Sequence, residues 1–110
     1  MDRNQPVCLH RTRSLLFVLC AAAALCTNAH ADALTEAFAA HARYLSSHAV
    51  AYEHGEGVVR DPARAAAMYC EAARLGDAEG MYALGWMYAN GRGLPRNDAY
   101  AATLFAMAAY

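Results

Sequence analysis

Apolar and small side chains over positions 32–52 recur in steps of three, four and five: Ala33, Phe38, Ala42, Leu45, Ala49 and Tyr52, with Leu34, Ala37 and Val50 widening the stripe. That rhythm predicts an amphipathic helix. Asp32 or Thr35 is placed to cap its start, and His54-Gly55-Glu56-Gly57 ends it, because glycine reaches backbone angles closed to other residues. Asp61-Pro62 restarts the chain, Asp61 as cap and Pro62 at the first helical position, where its missing N–H costs nothing. This second helix is predicted to run to about Leu75, with Gly76 as its left-handed cap. Asp77 caps a third helix over 78–89, closed by Asn90-Gly91-Arg92-Gly93. Pro95 keeps the next loop extended, and Asn97 or Asp98 opens a fourth helix that runs to the last residue. Four helices and no strand predict an all-α fold of antiparallel helix pairs.

Side-chain size predicts how these helices pack. Met81, Leu84, Gly85 and Tyr88 share one face of the third helix. Gly80 and Gly85 each weaken that helix by roughly 1 kcal/mol relative to alanine, a cost tolerable where a neighbour must come close. On the second helix Ala65, Ala66, Ala72 and Ala73 form a small, flat surface, with Met68 and Tyr69 as bulky knobs. Tyr82, Trp86 and Met87 lie off the Met81/Leu84/Tyr88 face, Tyr82 and Trp86 one turn apart. Either they pack against a further helix pair, or they anchor a partner in a groove.

Underneath the helical rhythm is a longer one. The stretch 52–74 recurs thirty-six residues later as 88–110, with nine identities in twenty-three positions. Tyr52 falls on Tyr88, Gly55 on Gly91, Gly57 on Gly93 and Arg60 on Arg96; Asp61 falls on Asn97 and Tyr69 on Phe105. A fixed period of about 20–50 residues signals a stacked repeat architecture. Such arrays display binding surfaces more often than they house reactions. The second copy halts two residues before the glycine that would match Gly76. Since about three repeats are normally needed for stability, the sequence reads as the amino-terminal piece of a longer protein and is expected to be marginally stable alone.

The run Ala83-Leu84-Gly85-Trp86-Met87-Tyr88-Ala89-Asn90-Gly91-Arg92-Gly93-Leu94-Pro95-Arg96-Asn97 closely resembles the Sel1-like repeat, as does 69–76. That repeat is related to the tetratricopeptide repeat, with a longer inter-helix loop. The resemblance covers roughly 43–110 and is poor over 43–51, where His48 and Ala49 stand in for its Leu-Gly and Val59 for the loop proline. The implied organisation is a first, partly degenerate repeat over 43–76 and a second over 77–110, preceded by a short helical extension over 32–42. The resemblance implies an α-solenoid that serves as adaptor or scaffold in multiprotein assemblies, often in bacterial envelopes. Sel1-like repeats behind a signal peptide also resemble the leading part of envelope proteins that continue into a lytic transglycosylase domain. The signature positions are Tyr52, Gly55, Gly57, Asp61, Tyr69, Gly76, Leu84, Gly85, Tyr88, Gly91, Gly93, Pro95 and Asn97.

The first thirty-one residues stand apart. Arg3, Arg11 and Arg13 precede a twelve-residue apolar run from Leu15 to Cys26, followed by Ala29-His30-Ala31. This is the pattern of a cleavable secretory leader, and the run is well short of the ~20 residues a membrane-crossing helix needs. Beyond Ala31 the chain has six arginines against nine carboxylates and no lysine, a net −3. No basic stripe is present, which argues against nucleic acid and anionic lipid. Cys70 is the one cysteine past the leader, either buried as a small hydrophobe or paired beyond the visible chain.

Candidate chemistry is sparse. His41 and His48 lie near one helix face but two turns apart, about 10 Å along the axis, too far to share an ion. Glu53, Glu56, Glu71 and Glu79 lack a catalytic setting and read as solvated charges. Gly55-x-Gly57 and Gly91-x-Gly93 lack the third glycine and preceding strand of a phosphate cradle. No cofactor, metal or catalytic residue is expected. The expected partner is a protein or peptide, held by Tyr82 and Trp86 with Arg74 and Arg92 nearby, on a chain that is monomeric or extended by further repeats. Intact-mass spectrometry of the protein from an exporting bacterial host should show an amino terminus at Asp32; a mass retaining residues 1–31 would contradict the leader.

Overall fold

The computed structural model of the protein describes residues 28–110, so the leader expected over 1–31 lies almost wholly outside the described residues. Among them are four helices and no strand: α1 (Asn28–His54), α2 (Pro62–Arg74), α3 (Ala78–Asn90) and α4 (Asp98–Ala108). Short loops turn each helix back on the last. α1 packs on α2, α2 on α3 and α3 on α4, while α1 barely meets α3. This is the stacking of a solenoid, in which each unit touches its neighbours alone.

Most helix ends fall where local chemistry places them. The Asp61 carboxylate accepts the Arg64 amide at 3.0 Å, Asp77 accepts that of Gly80 at 2.8 Å, and Asn97 accepts that of Tyr100 at 3.1 Å. α2 closes with paired bonds from Gly76 N–H to the Ala73 carbonyl and from Asp77 N–H to the Ala72 carbonyl, the double closure of a Schellman end. α1 departs from expectation. It begins at Asn28, so Asp32 and Thr35 lie inside it and cap nothing. Thr35 instead donates from Oγ1 to the Ala31 carbonyl one turn back. The alanines around Ala29 and Ala31 favour helix strongly enough to carry it upstream of both candidates, and 32–42 is one continuous element with the rest of α1.

The two longer of the three inter-helix loops, the first over 55–61 and the second over 91–97, share one conformation. Asp61 N–H donates to the Tyr52 carbonyl at 2.8 Å, and its counterpart Asn97 N–H donates to Tyr88 at 2.9 Å. Glu56 N–H reaches Ala51 O and Arg92 N–H reaches Met87 O, both at 2.9 Å. The thirty-six-residue period is therefore a repeat of structure as well as of sequence.

The core runs through all four helices, from Ala49 through Ala65 and Tyr69 to Leu84, Met87, Tyr88, Ala101 and Leu104. Met87 is a correction: it lies off the predicted apolar face yet is fully buried. α3 is enclosed by α2 on one side and α4 on the other, so its buried arc is wider than a single stripe. The glycines of α3 mark the close approaches. A Cβ at Gly80 would stand 2.9 Å from that of Ala72, and one at Gly85 would stand 3.0 Å from the Phe105 ring.

Gly93 sets the seat of the second loop on the first turn of α2. Its φ is +75°, and a Cβ there would lie 2.5 Å from the Pro62 carbonyl carbon and oxygen. Gly57, its counterpart, has φ +74° with nothing within 4 Å. Gly93→Ala is expected to cost about 2–4 kcal/mol in urea unfolding, left-handed strain plus overpacking. Gly57→Ala should cost the strain alone, about 1–2 kcal/mol. Equal losses at the two positions would show that the loop does not seat on α2.

Candidate functional site

The last turn of α1 carries the most connected polar group among the described residues. Glu53 is 8% exposed. Tyr69 Oη, from α2, donates to its carboxylate at 3.0 Å. Arg92 Nε, from the second loop, lies 3.8 Å from Glu53 Oε1, and His54 Nε2 lies 3.9 Å from Oε2. The Glu53 carbonyl accepts from Arg60 Nε at 3.1 Å and from Arg92 Nη2 at 3.5 Å. Two guanidinium groups thus meet the negative end of α1, where cations are favoured. The solvated reading of Glu53 is overturned, although Glu56, Glu71 and Glu79 are exposed as expected. Its cover comes from α2 and from the next repeat's loop, neither of which local periodicity reports.

Arg92 links this cluster to the surface. Its guanidinium lies over the Trp86 ring, 5.9 Å from the centroid, within the range of a cation–π contact. Trp86 is 42% exposed and Tyr82 60%. The Tyr82 ring meets that of Phe105 on α4 at 5.5 Å, so one aromatic surface bridges α3 and α4. Phe105 was not among the residues expected from sequence, although its alignment with Tyr69 marks it as a packing aromatic. Arg74 does not join this surface. It pairs with Glu71 at 3.5 Å and helps line a shallow hollow of about 370 Å³ with Thr35, Phe38, Ala39 and Leu75.

The aromatic surface is almost free of charge. Within α3 and α4 the charged residues are Glu79 and Asp98, both in first turns. α2 carries Arg64, Glu71 and Arg74; the matching positions of the second repeat are Tyr100 and Met107 in α4 and Tyr110 just past its end.

Among the remaining signature residues, Leu84 and Tyr88 are core, and Tyr52 is partly buried beneath the Arg64 guanidinium, 4.4 Å from its ring centroid. His41 and His48 do not converge: the Tyr44 ring stacks on the first at a centroid distance of 6.3 Å and meets the second tilted, at 3.9 Å. Cys70 is buried and disulfide-bonded. Among the described residues no helix is long and apolar enough to cross a membrane.

Tandem helix pairs with matching loops, a shared core and an uncovered aromatic end define a short α-solenoid. The family is shown directly: the Sel1 repeat family model matches residues 40–77 and 78–110, and the chain belongs to the Sel1 repeat family. Repeats of this family are protein-interaction modules. No curated protein and no solved structure matches the chain.

Two buried tyrosines separate by their partners. Burial holds the Tyr69 hydroxyl well above its ordinary pKa, and the bonded Glu53 carboxylate adds to the rise. Burial pushes Tyr88 up to about 12, with Tyr100 contributing, and its hydroxyl is buried without a hydrogen-bond partner. Both groups resist ionising when folded, so their contribution to stability is complete below the ordinary tyrosine value near 10 and is lost as pH rises through the folded value. Tyr88→Phe should leave stability at pH 7 within about 1 kcal/mol of wild type, while Tyr69→Phe loses about 1–3 kcal/mol by stranding Glu53. Above pH 10, Tyr88→Phe should unfold at higher pH than wild type. Denaturant curves at both pH values check this, and a large neutral-pH loss for Tyr88→Phe would contradict the unpaired hydroxyl.

Proposed function

We propose that this Sel1 repeat chain is an exported, non-catalytic interaction module of the bacterial envelope that binds a protein or peptide partner on the aromatic end of its second helix pair. The observation that carries the reading is the exposure of Tyr82 and Trp86 on helices with almost no charge. Tryptophan and tyrosine are enriched among interface anchors, and charge is depleted at interface centres. Arg92, braced from behind by Glu53, gives this surface one oriented cation at its border.

The leader pattern supports export. Two features support a role without chemistry. Glu53, the buried carboxylate among the described residues, is committed to Tyr69 and Arg92. His41 and His48 lie two helical turns apart on α1, each with its ring against that of Tyr44. The acidic balance past Ala31 supports a macromolecular partner other than nucleic acid.

Affinity capture from an envelope fraction of the native host tests the reading. Trp86→Ala should reduce recovery of a specific partner roughly thirtyfold, the effect of losing an anchor residue, with the helical circular dichroism unchanged. Undiminished capture by Trp86→Ala, or by Tyr82→Ala, would remove the proposed surface; parallel loss of helicity would assign Trp86 to the fold.

A further inference from the structure

Asparagine followed by glycine is the amide sequence most open to spontaneous loss of ammonia. Glycine has no Cβ to hold its nitrogen away from the preceding side chain, so that nitrogen reaches the amide carbon and closes a five-membered imide. The chain has four asparagines, and Asn90 alone precedes glycine; Asn4, Asn28 and Asn97 precede Gln5, Ala29 and Asp98. Asn90 and Gly91 are both exposed, at the border between α3 and the second loop. In the first repeat the same place is held by His54-Gly55, which has no amide side chain to lose.

The fold restrains both reacting groups. Asn90 Nδ2 donates to the Trp86 carbonyl at 2.8 Å, which turns the side chain back along the helix and away from the next residue. The Gly91 N–H, whose nitrogen would attack, donates to the Met87 carbonyl. Both acceptors lie in the last turn of α3. A helix end is where local opening costs least, and one opening frees both groups. We infer that Asn90–Gly91 is a deamidation site gated by opening of the last turn of α3. The Gly91 nitrogen bonds to Asn90 Cγ, and the amide nitrogen leaves as ammonia, taking the Gly91 proton. Water then opens the imide. Breaking its bond to Cγ gives aspartate; breaking its bond to the main-chain carbonyl gives isoaspartate, with the chain routed through the side chain.

Either product falls where the two repeats are tied together. A carboxylate at position 90 replaces the donor that meets the Trp86 carbonyl and puts negative charge at a helix carboxyl end, where it is disfavoured. It also stands two residues from Arg92, which lies 3.8 Å from Glu53 and 5.9 Å from the centre of the Trp86 ring. Isoaspartate adds a backbone carbon between the helix and Gly91. The bonds from the Gly91 and Arg92 N–H groups to the Met87 carbonyl then lose their register, and Arg92 is drawn off Glu53 and Trp86. A reaction that needs water alone thus acts on the side chain joining the buried carboxylate to the aromatic surface.

Trypsin, which cuts after arginine, separates Asn90 and Asn97 into peptides 75–92 and 97–110. The purified protein is held in mildly alkaline buffer, folded in one sample and unfolded in urea in the other. Both peptides are followed by mass spectrometry, with electron-transfer fragmentation to tell isoaspartate from aspartate. Peptide 75–92 should gain the mass of an amide-to-acid exchange in both samples, several-fold faster in urea, while 97–110 lags throughout. Asn90→His, the first repeat's residue, should abolish the gain in 75–92. Asn90→Asp should lower the urea midpoint and shift the emission of Trp86, the sole tryptophan. Conversion of Asn97 as fast as Asn90, or an Asn90 that survives in urea, overturns the site. A folded sample that never converts, or converts as fast as the unfolded one, overturns the gating. An Asn90→Asp protein indistinguishable from wild type overturns the effect on Arg92. Should Asn90→His fail to fold, the urea sample and the Asn97 peptide decide.

Discussion

The close approach of α2 and α3 is the constraint on which the rest of this structure rests. Ala72 faces Gly80 with no room for another carbon, and Gly93 brings the second loop onto Pro62 with less room still. Both contacts lie between the two helix pairs. They fix the distance and the rotation of one pair against the other, and interiors packed this tightly transmit such constraints without slack. Once they are set, Arg92 arrives at the end of α1, Asp77 meets Ser46, and α3 is enclosed on two sides.

The Glu53 cluster follows from that placement and does a different job. Van der Waals contact between small residues is nearly indifferent to small slides, whereas a buried carboxylate bonded to Tyr69 and faced by Arg92 has one good register. A buried ion pair adds little net stability over apolar packing, but its disruption is costly. Here its members come from α1, α2 and the second loop, so it ties both repeats to one arrangement. The same arginine extends from this anchor to the face of Trp86. The exposed aromatic end is thereby coupled to the interior, and its shape is set before any partner arrives.

The second repeat differs from the first most in what it shows to water. Where α2 carries Arg64, Glu71 and Arg74, the second repeat has Tyr100 and Met107 in α4 and Tyr110 just past its end. The loop bonds and the Asp61 and Asn97 caps repeat closely, so the frame of loop and helix start is shared while the exposed side chains diverge. A helix apolar around most of its circumference is ordinarily a covered helix. That contrast within one chain is the basis for proposing recognition at the α3–α4 end.

Much of this was written in local sequence. Cap residues with a free side-chain oxygen, proline in a first turn and glycine after a last one act within a few residues of themselves, so Asp61, Asp77, Asn97 and Gly76 announced the borders of α2, α3 and α4. The period between Tyr52 and Tyr88 announced the tandem pairs, because identical loops need identical glycines. Burial across repeats was not legible in the same way. Glu53 looked solvated, Met87 looked peripheral, and Arg74 looked like a neighbour of Trp86, since each depends on which distant element lies across from it. The helices and their repetition were determined by the chain's local chemistry; the choice of buried carboxylate, the second buried side of α3 and the meeting of Tyr82 with Phe105 were decided when the helix pairs docked, because contacts between residues far apart in sequence exist only after docking.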